Sequence, residues 1–206
     1  MAEGTVEEAA AAMNGEVISG DPRRPWSGAA VDSRRLEGEE LFFALPGERS
    51  DGHRFVAEAL ARGAAAAVVH RALEEMEEAT LIRVADTFTA LHALTAEVRR
   101  RVPRKLVAVT GSTGKTTTKE LLARMLAARY RVAANPGNLN NLYGFPLALL
   151  GVPEGTEWMV AEMGMSTPGE LRQLGSLGRP DVVLFTNVRE VHLEFFDSLR
   201  GIAEAK

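Results

Sequence analysis

Three short stretches of this chain carry side chains whose types and spacing could do chemistry. The first is Gly111-Ser112-Thr113-Gly114-Lys115-Thr116-Thr117. Closely spaced glycines expose backbone amides, and at the start of a helix those amides and the helix dipole favour a phosphate group. Lys115 can then neutralise terminal phosphates, and Thr116 offers the hydroxyl expected on a nucleotide-bound magnesium ion. The general phosphate-loop pattern has a further glycine where this chain has Val109, so the pattern is met only in part. A turn that merely joins a strand to a helix is the alternative, although Gly-Lys-Thr-Thr-Thr has little packing purpose there. The second stretch is Trp158-Met159-Val160-Ala161-Glu162, which has the layout of a buried strand ending in a carboxylate. Such an acid can hold magnesium directly or through water; alone, it can equally be a solvated residue or a helix-cap partner. The third, Asn187 to Glu194, follows another apolar strand, and its His192 is either a metal ligand or an ordinary loop histidine.

Those side chains need elements to hold them. Leu106 to Val109 reads as a short strand running into the glycine loop, and Leu121, Leu122, Met125 and Leu126 then recur at helical spacing. Further apolar runs at Trp158–Ala161 and Val182–Phe185 flank an expected helix after Thr167, with Pro168 in its first turn and Glu170 completing a capping box. Alternating strands and helices imply a parallel sheet with helices on its faces. Upstream, Leu41 to Leu45 reads as a buried strand closed by Pro46-Gly47. A helical face at Phe55, Val56, Ala59 and Leu60 follows, with Gly63 at its cap and a second apolar run at Ala64–Val69. Asp86 can cap a helix reaching Arg101, striped by Phe88, Leu91, Leu94 and Val98 and ended by Pro103. The expected fold is α/β. A small mixed domain over residues 1–103 precedes the first half of a parallel-sheet nucleotide-binding domain over 104–206.

Composition removes other classes. The 206 residues are 46% hydrophobic and 25% charged, enough apolar material for packed cores. A formal charge of -4 argues against generic nucleic-acid binding, so any anionic ligand must be held locally. With no cysteine, a metal must take oxygen or imidazole ligands. Residues 1–13 are acidic and Ala-rich rather than basic and then apolar, and no apolar run reaches the roughly 18 residues of a membrane helix. A cytoplasmic protein without membrane insertion is expected.

Four segments together resemble successive motifs of the Mur ligases: VTGSTGKTTTKE (109–120), NPGNLNNLYG (135–144), EMGMSTPGE (162–170) and NVREVHLEFFDSLRGIAEAK (187–206). The run from Val31 to Val68 is similar to that family's UDP-sugar-binding N-terminal domain. The resemblance implies an ATP- and Mg2+-dependent amide-forming ligase of peptidoglycan synthesis. Its reaction would join D-alanyl-D-alanine to UDP-N-acetylmuramoyl-tripeptide through an acyl phosphate. Carried over residue by residue, it implies nucleotide contacts from Gly111 to Thr117, and Thr116, Glu162 and His192 on magnesium. Lys206 falls where the family has a lysine that becomes carbamylated and helps hold a second magnesium. Asn138 and Asn141 match the family's asparagine-rich motif near the nucleotide and acyl-phosphate site. Ser33, Arg34, Arg49, Asp51 and His53 match the UDP site. Val191, Phe195 and Asp197 depart from the smaller residues usual around the family's His-Leu-Glu segment. A complete family member is longer and includes a dipeptide-binding domain, so a fragment is expected, of an enzyme that is monomeric at full length. Two rivals stand beside this reading. One is the branch that adds a single amino acid, disfavoured by Glu162-Met163-Gly164; the other is a non-catalytic UDP-sugar or nucleotide-binding fragment.

Overall fold

The structure, a computed structural model, describes residues 2–47, 50–71, 79–137, 139–189 and 198–206. Arg49, Asn138 and His192 lie outside the described residues. The chain divides into two compact units, Met1–Val98 and Arg99–Lys206.

The first unit contains β1 (Glu3–Thr5), α1 (Val6–Ala12), β2 (Glu16–Ser19), β3 (Pro25–Ser27), β4 (Ala29–Ala30), β5 (Leu41–Phe43), α2 (Val56–Ala61), β6 (Ala66–Val69), β7 (Leu81–Arg83) and α3 (Thr87–Arg101). Five strands form one sheet in the order β2-β7-β6-β5-β4, parallel except for β2. Strands β5 and β6 are buried at every residue, as a strand covered on both faces should be. That is why their sequences run apolar without alternation. Helix α1 opens on a reciprocal cap, with Glu8 N–H donating to the Thr5 hydroxyl and Thr5 N–H donating to the Glu8 carboxylate. Asp86 accepts from Thr89 N–H at 2.7 Å at the start of α3, and Leu91, Leu94 and Val98 lie on its buried side. Phe55, expected on the buried face of α2, instead ends a 3-10 turn over Gly52–Phe55 and is 40% exposed.

The second unit holds β8 (Lys105–Thr110), α4 (Lys115–Ala127), β9 (Val132–Ala134), α5 (Gly144–Leu150), β10 (Trp158–Glu162), α6 (Glu170–Gly178), β11 (Val182–Phe185) and α7 (Leu199–Ala205). Its sheet runs β11-β8-β10-β9 and every pairing is parallel. The period of two along a strand sorts the core into two layers. Leu106, Ala108, Met159 and Ala161 pack with Phe145, Leu149, Leu171, Leu174 and Ile202 on one face. Val107, Val109 and Val160 meet Leu122 and Leu126 of α4 on the other. Each buried Leu or Phe contributes about 1.5–3 kcal/mol, so these layers fix where the strand ends lie.

Two local expectations change. The apolar stripe of α4 splits: Leu122 and Leu126 reach the sheet, whereas Leu121 and Met125 are 60% and 66% exposed. Helix α6 begins at Glu170, not at Pro168, because Gly169 takes a left-handed conformation (φ 90°) that turns the chain into the helix. The Glu170 carboxylate still reaches back, accepting from the N–H groups of Ser166 and Thr167. The first unit ends within the last turn of α3, short of Pro103. Arg99 explains this, since its guanidinium donates to the carbonyls of Gly178 and Arg104, both in the second unit. No helix among the described residues is long and apolar enough to cross a membrane.

Candidate functional site

Because β8, β10 and β11 are parallel, their C-terminal ends share one edge of the sheet, where open α/β sheets bind ligands. The glycine loop leaves β8 there. Gly111 has φ 142°, and a Cβ on it would stand 2.0 Å from Thr186 Oγ1 and 3.0 Å from the Asn187 carbonyl oxygen. No other residue fits. Gly114, by contrast, has open space around it but φ 78°, so glycine is required there for conformation alone.

A clamp from the end of β11 shapes the loop. Ser112 N–H donates to the Asn187 carbonyl at 3.0 Å, Thr113 N–H donates to Asn187 Oδ1 at 3.1 Å, and the Thr186 hydroxyl donates to the Thr113 carbonyl at 2.7 Å. Helix α4 then starts at Lys115 with no side chain capping it, and Thr118 N–H is the amide that closes back onto the Gly114 carbonyl. The first-turn N–H groups of Lys115, Thr116 and Thr117 are the ones a helix leaves unsatisfied, and they carry the positive end of its dipole. Lys115 Nζ donates to the Gly111 carbonyl at 2.9 Å and the Ser112 carbonyl at 3.4 Å, so its charge sits over the loop.

Glu162, at the end of β10, is 4% exposed, and both of its oxygens are partnered. The Thr116 hydroxyl donates to Oε2 at 2.7 Å and Asn140 Nδ2 donates to Oε1 at 2.7 Å. Asn135 fixes the backbone beneath: its Oδ1 accepts from Glu162 N–H, and its Nδ2 donates to the carbonyls of Glu162 and Leu139. The fully buried Lys119 donates to the Asn135 carbonyl at 2.7 Å. Lys206, at the end of α7, is half-buried, and burial and then the Lys115 charge hold its ammonium below the usual lysine range.

Asn141 has a structural part of its own. Its Oδ1 accepts from the N–H groups of Tyr143 and Gly144, capping the start of α5. Its neighbours Asn135 and Asn140 are the ones that reach Glu162. Both lie in the motif at 135–144, but nothing local distinguishes them from Asn138 or Asn141. Replacing Asn135 with alanine would strip partners from Glu162 N–H and two carbonyls in a buried setting. We expect a loss of about 2–3 kcal/mol, read from the urea midpoint, because unpaired buried polar groups carry such costs. An unchanged midpoint would refute the cradle.

In the first unit, Ser33 is buried at the start of a 3-10 turn capped by Asp32, which accepts from Arg34 N–H. Arg34 closes on that same carboxylate at 2.9 and 2.8 Å while staying exposed, and its hydrogen bond holds Asp32 below the usual carboxylate range. Asp51 accepts from His53 N–H and from His53 Nδ1 at 2.7 Å, and pairs with Arg71 at 2.7 Å. Arg71 gave no signal in the sequence. His53 Nε2 accepts from His70 N–H at 3.2 Å, so Nδ1 carries the proton. The pair Ser33–Arg34 and the cluster Asp51–His53 are not joined by a hydrogen bond among the described residues.

Burial pushes His53 below its ordinary 6.5, although the Asp51 hydrogen bond opposes this. The unfolded chain therefore takes up a proton near pH 6.5 that the folded chain refuses. Stability is full above that value and declines as pH falls from 6.5 toward the lower folded value. Asp51, held low mainly by its hydrogen bonds from His53, adds its own loss only below its ordinary 3.8. Urea unfolding at pH 7.5, 6.5 and 5.5 should show the decline, and His53→Gln should flatten it; equal slopes in both proteins would overturn the assignment.

Comparison with known proteins gives a consistent result. The family description "Mur ligase middle domain" matches residues 109–206, and "Mur ligase family, catalytic domain" matches 26–99. The UDP-N-acetylmuramoyl-tripeptide–D-alanyl-D-alanine ligase of Bacillus subtilis is 44% identical over 180 residues, 87% of this chain and 39% of that protein. The Escherichia coli enzyme of the same name is 41% identical over 194 residues, 94% of this chain and 42% of that protein. A crystal structure of MurF from Acinetobacter baumannii superposes with a TM-score of 0.89 at 35% identity, covering 99% of this chain and 45% of that one. MurF from Thermotoga maritima, solved in complex with ADP, gives 0.77 at 36% identity, covering 87% of this chain and 42% of that one. The chain thus spans about two fifths of the length of the curated relatives it matches.

Proposed function

Since this chain belongs to the Mur ligase family and carries its N-terminal and middle domains, we propose that it supplies the UDP-substrate and ATP sites of a ligase joining D-alanyl-D-alanine to UDP-N-acetylmuramoyl-tripeptide. The observation that carries the proposal is one constellation: Lys115 over a glycine loop, with Thr116 bonded to a buried Glu162 across 46 residues of sequence. The ADP complex of the Thermotoga maritima relative supports a nucleotide at the loop.

In this reaction the tripeptide carboxylate attacks the γ-phosphorus of ATP, forming an acyl phosphate and releasing ADP. The dipeptide amine then attacks the acyl carbon, loses a proton and expels inorganic phosphate. Phosphoryl transfer asks little covalent chemistry of the protein; positioning and charge stabilisation provide most of the acceleration. Lys115 and the first-turn amides of α4 bind and orient the terminal phosphates. The Thr186–Asn187 clamp keeps the loop in its binding conformation. A carboxylate and a hydroxyl are hard oxygen donors suited to magnesium, so Thr116 and Glu162 would hold that ion, with His192 as a further ligand and a carbamylated Lys206 helping to hold a second. When bound, magnesium offsets phosphate charge. Asn140 and Asn135 keep the Glu162 carboxylate in place. In the first unit, Ser33, Arg34, Arg49, Asp51 and His53 would receive the UDP moiety.

The test is phosphate release by the intact enzyme that contains this segment, supplied with ATP, magnesium, UDP-N-acetylmuramoyl-tripeptide and D-alanyl-D-alanine. Release should require the dipeptide. Release supported instead by a single amino acid and UDP-muramoyl dipeptide would favour the MurE-type branch. Binding of ADP and UDP without turnover would favour a non-catalytic role.

A further inference from the structure

The segment Arg99-Arg100-Arg101-Val102-Pro103-Arg104-Lys105 reads as a solvated basic run, yet Arg104 is only 6% exposed. Arg99, Arg100, Arg104, Lys105 and Arg179 line an open cleft of about 550 Å³ against a single acid, Asp181. That acid is already taken. Its Oδ1 pairs with Lys105 Nζ at 2.9 Å, and its Oδ2 accepts from Leu106 N–H at 2.9 Å and from Arg99 at 3.5 Å. Arg99 is likewise committed, donating to the carbonyls of Gly178, Arg104 and Arg179.

Arg104 is different: its Nε and Nη1 are buried and have no hydrogen-bond partner among the described residues. A guanidinium stays charged throughout the accessible pH range, so burial cannot be relieved by losing the proton. Burial and then the Arg99 charge both work against its charged form, and among the described residues no carboxylate counters them. Buried charges in proteins are paired or ligand-bound, which makes an unpaired, cation-flanked guanidinium lining a cleft a site for an anion.

We propose that this cleft binds a phosphate group, held by the Arg104 guanidinium with Lys105 and Arg179 at its rim. Lys105 begins β8 and Asp181 immediately precedes β11, so the cleft lies at the N-terminal ends of the strands. The glycine loop leaves the opposite end of β8, and the two sites are therefore distinct. Planar, multidentate donors suit a phosphate, and charge-assisted bonds of this kind are about twice as strong as neutral ones.

The experiment titrates the full 206-residue chain with inorganic phosphate at constant ionic strength and follows the arginine Nε–Hε resonances by 1H–15N NMR. The assigned Arg104 resonance should move saturably in the unaltered chain, and equally in Lys115→Ala, which weakens the loop site. Arg104→Gln in the Lys115→Ala background should abolish the rise in Tm that phosphate produces. Should that variant not fold, Arg179→Gln at the rim should weaken the apparent Kd about tenfold. An Arg104 resonance that ignores phosphate, or that follows chloride or acetate equally, would overturn the proposal, as would a phosphate response lost in Lys115→Ala alone.

Discussion

Lys115→Ala in the intact enzyme should lower ligase turnover by at least about 10³-fold while leaving the affinity for the UDP-linked substrate nearly unchanged. The size of the effect follows from where the charge sits. Lys115 Nζ lies over the loop at 2.9 Å from the Gly111 carbonyl, beside the first-turn amides of α4 at the expected terminal phosphate. Removing the ammonium leaves the developing charge to the α4 amide dipoles and the expected magnesium, and losing one such preorganised charge costs several kcal/mol. The residues proposed for UDP belong to the other compact unit, Met1–Val98, where Asp51 pairs with His53 and Arg71. Calorimetric titration of the variant with ADP and with UDP separates the two sites. ADP binding should fall below detection and UDP binding should survive. Loss of both together would overturn the assignment of the sites to separate units.

The parts of this site that were legible in the sequence are those written in one contiguous stretch. Gly111 to Thr117 stands out because its glycines, lysine and threonines fall within one contiguous run whose backbone geometry is local. Glu162 was legible because an apolar run ending in an acid needs only the strand rule. What supports these residues was not legible. Asn187 clamps the loop across 74 residues, and Asn135 holds Glu162 across 27. Such partners are selected by how the parallel strands are ordered, which no local pattern encodes. Lys119 illustrates the limit well. In sequence it is a polar residue on a helix surface; in the fold it is fully buried, donating to the Asn135 carbonyl and pairing with Glu120. The same holds for the stripe of α4, where spacing gave the face but not which half of it the sheet would cover. In the first unit the buried strands β5 and β6 were readable from composition. The β1–β3 ribbon and the antiparallel β2 were not, being short and without period.

Lys206→Ala should reduce ligase activity of the intact enzyme by about 10²-fold or more, and millimolar acetate or formate should restore part of it. The family resemblance suggests a carbamate at this position, and the surroundings favour its formation. Carbon dioxide reacts with the neutral amine. Burial, followed by the like charge of Lys115, disfavours the Lys206 ammonium and so raises the neutral fraction at a given pH. Carbamylation then replaces a cation close to Lys115 with an anion, turning a repulsion into an attraction and supplying oxygen donors of the kind magnesium prefers. Helix α7 is placed well enough to do this: Ile202 is fully buried in the core layer beside α5 and α6, with Ala205 packed against it. An alanine side chain leaves room for a small carboxylate to stand in for the carbamate oxygens, whereas Lys206→Gln would fill that room with an uncharged amide and should resist rescue. Intact-mass measurement with and without bicarbonate, paired with activity, decides the matter. The lysine enzyme should carry an additional carbon dioxide and lose activity when bicarbonate is removed. A fully active alanine variant, or activity and mass indifferent to bicarbonate, would leave Lys206 without the assigned role.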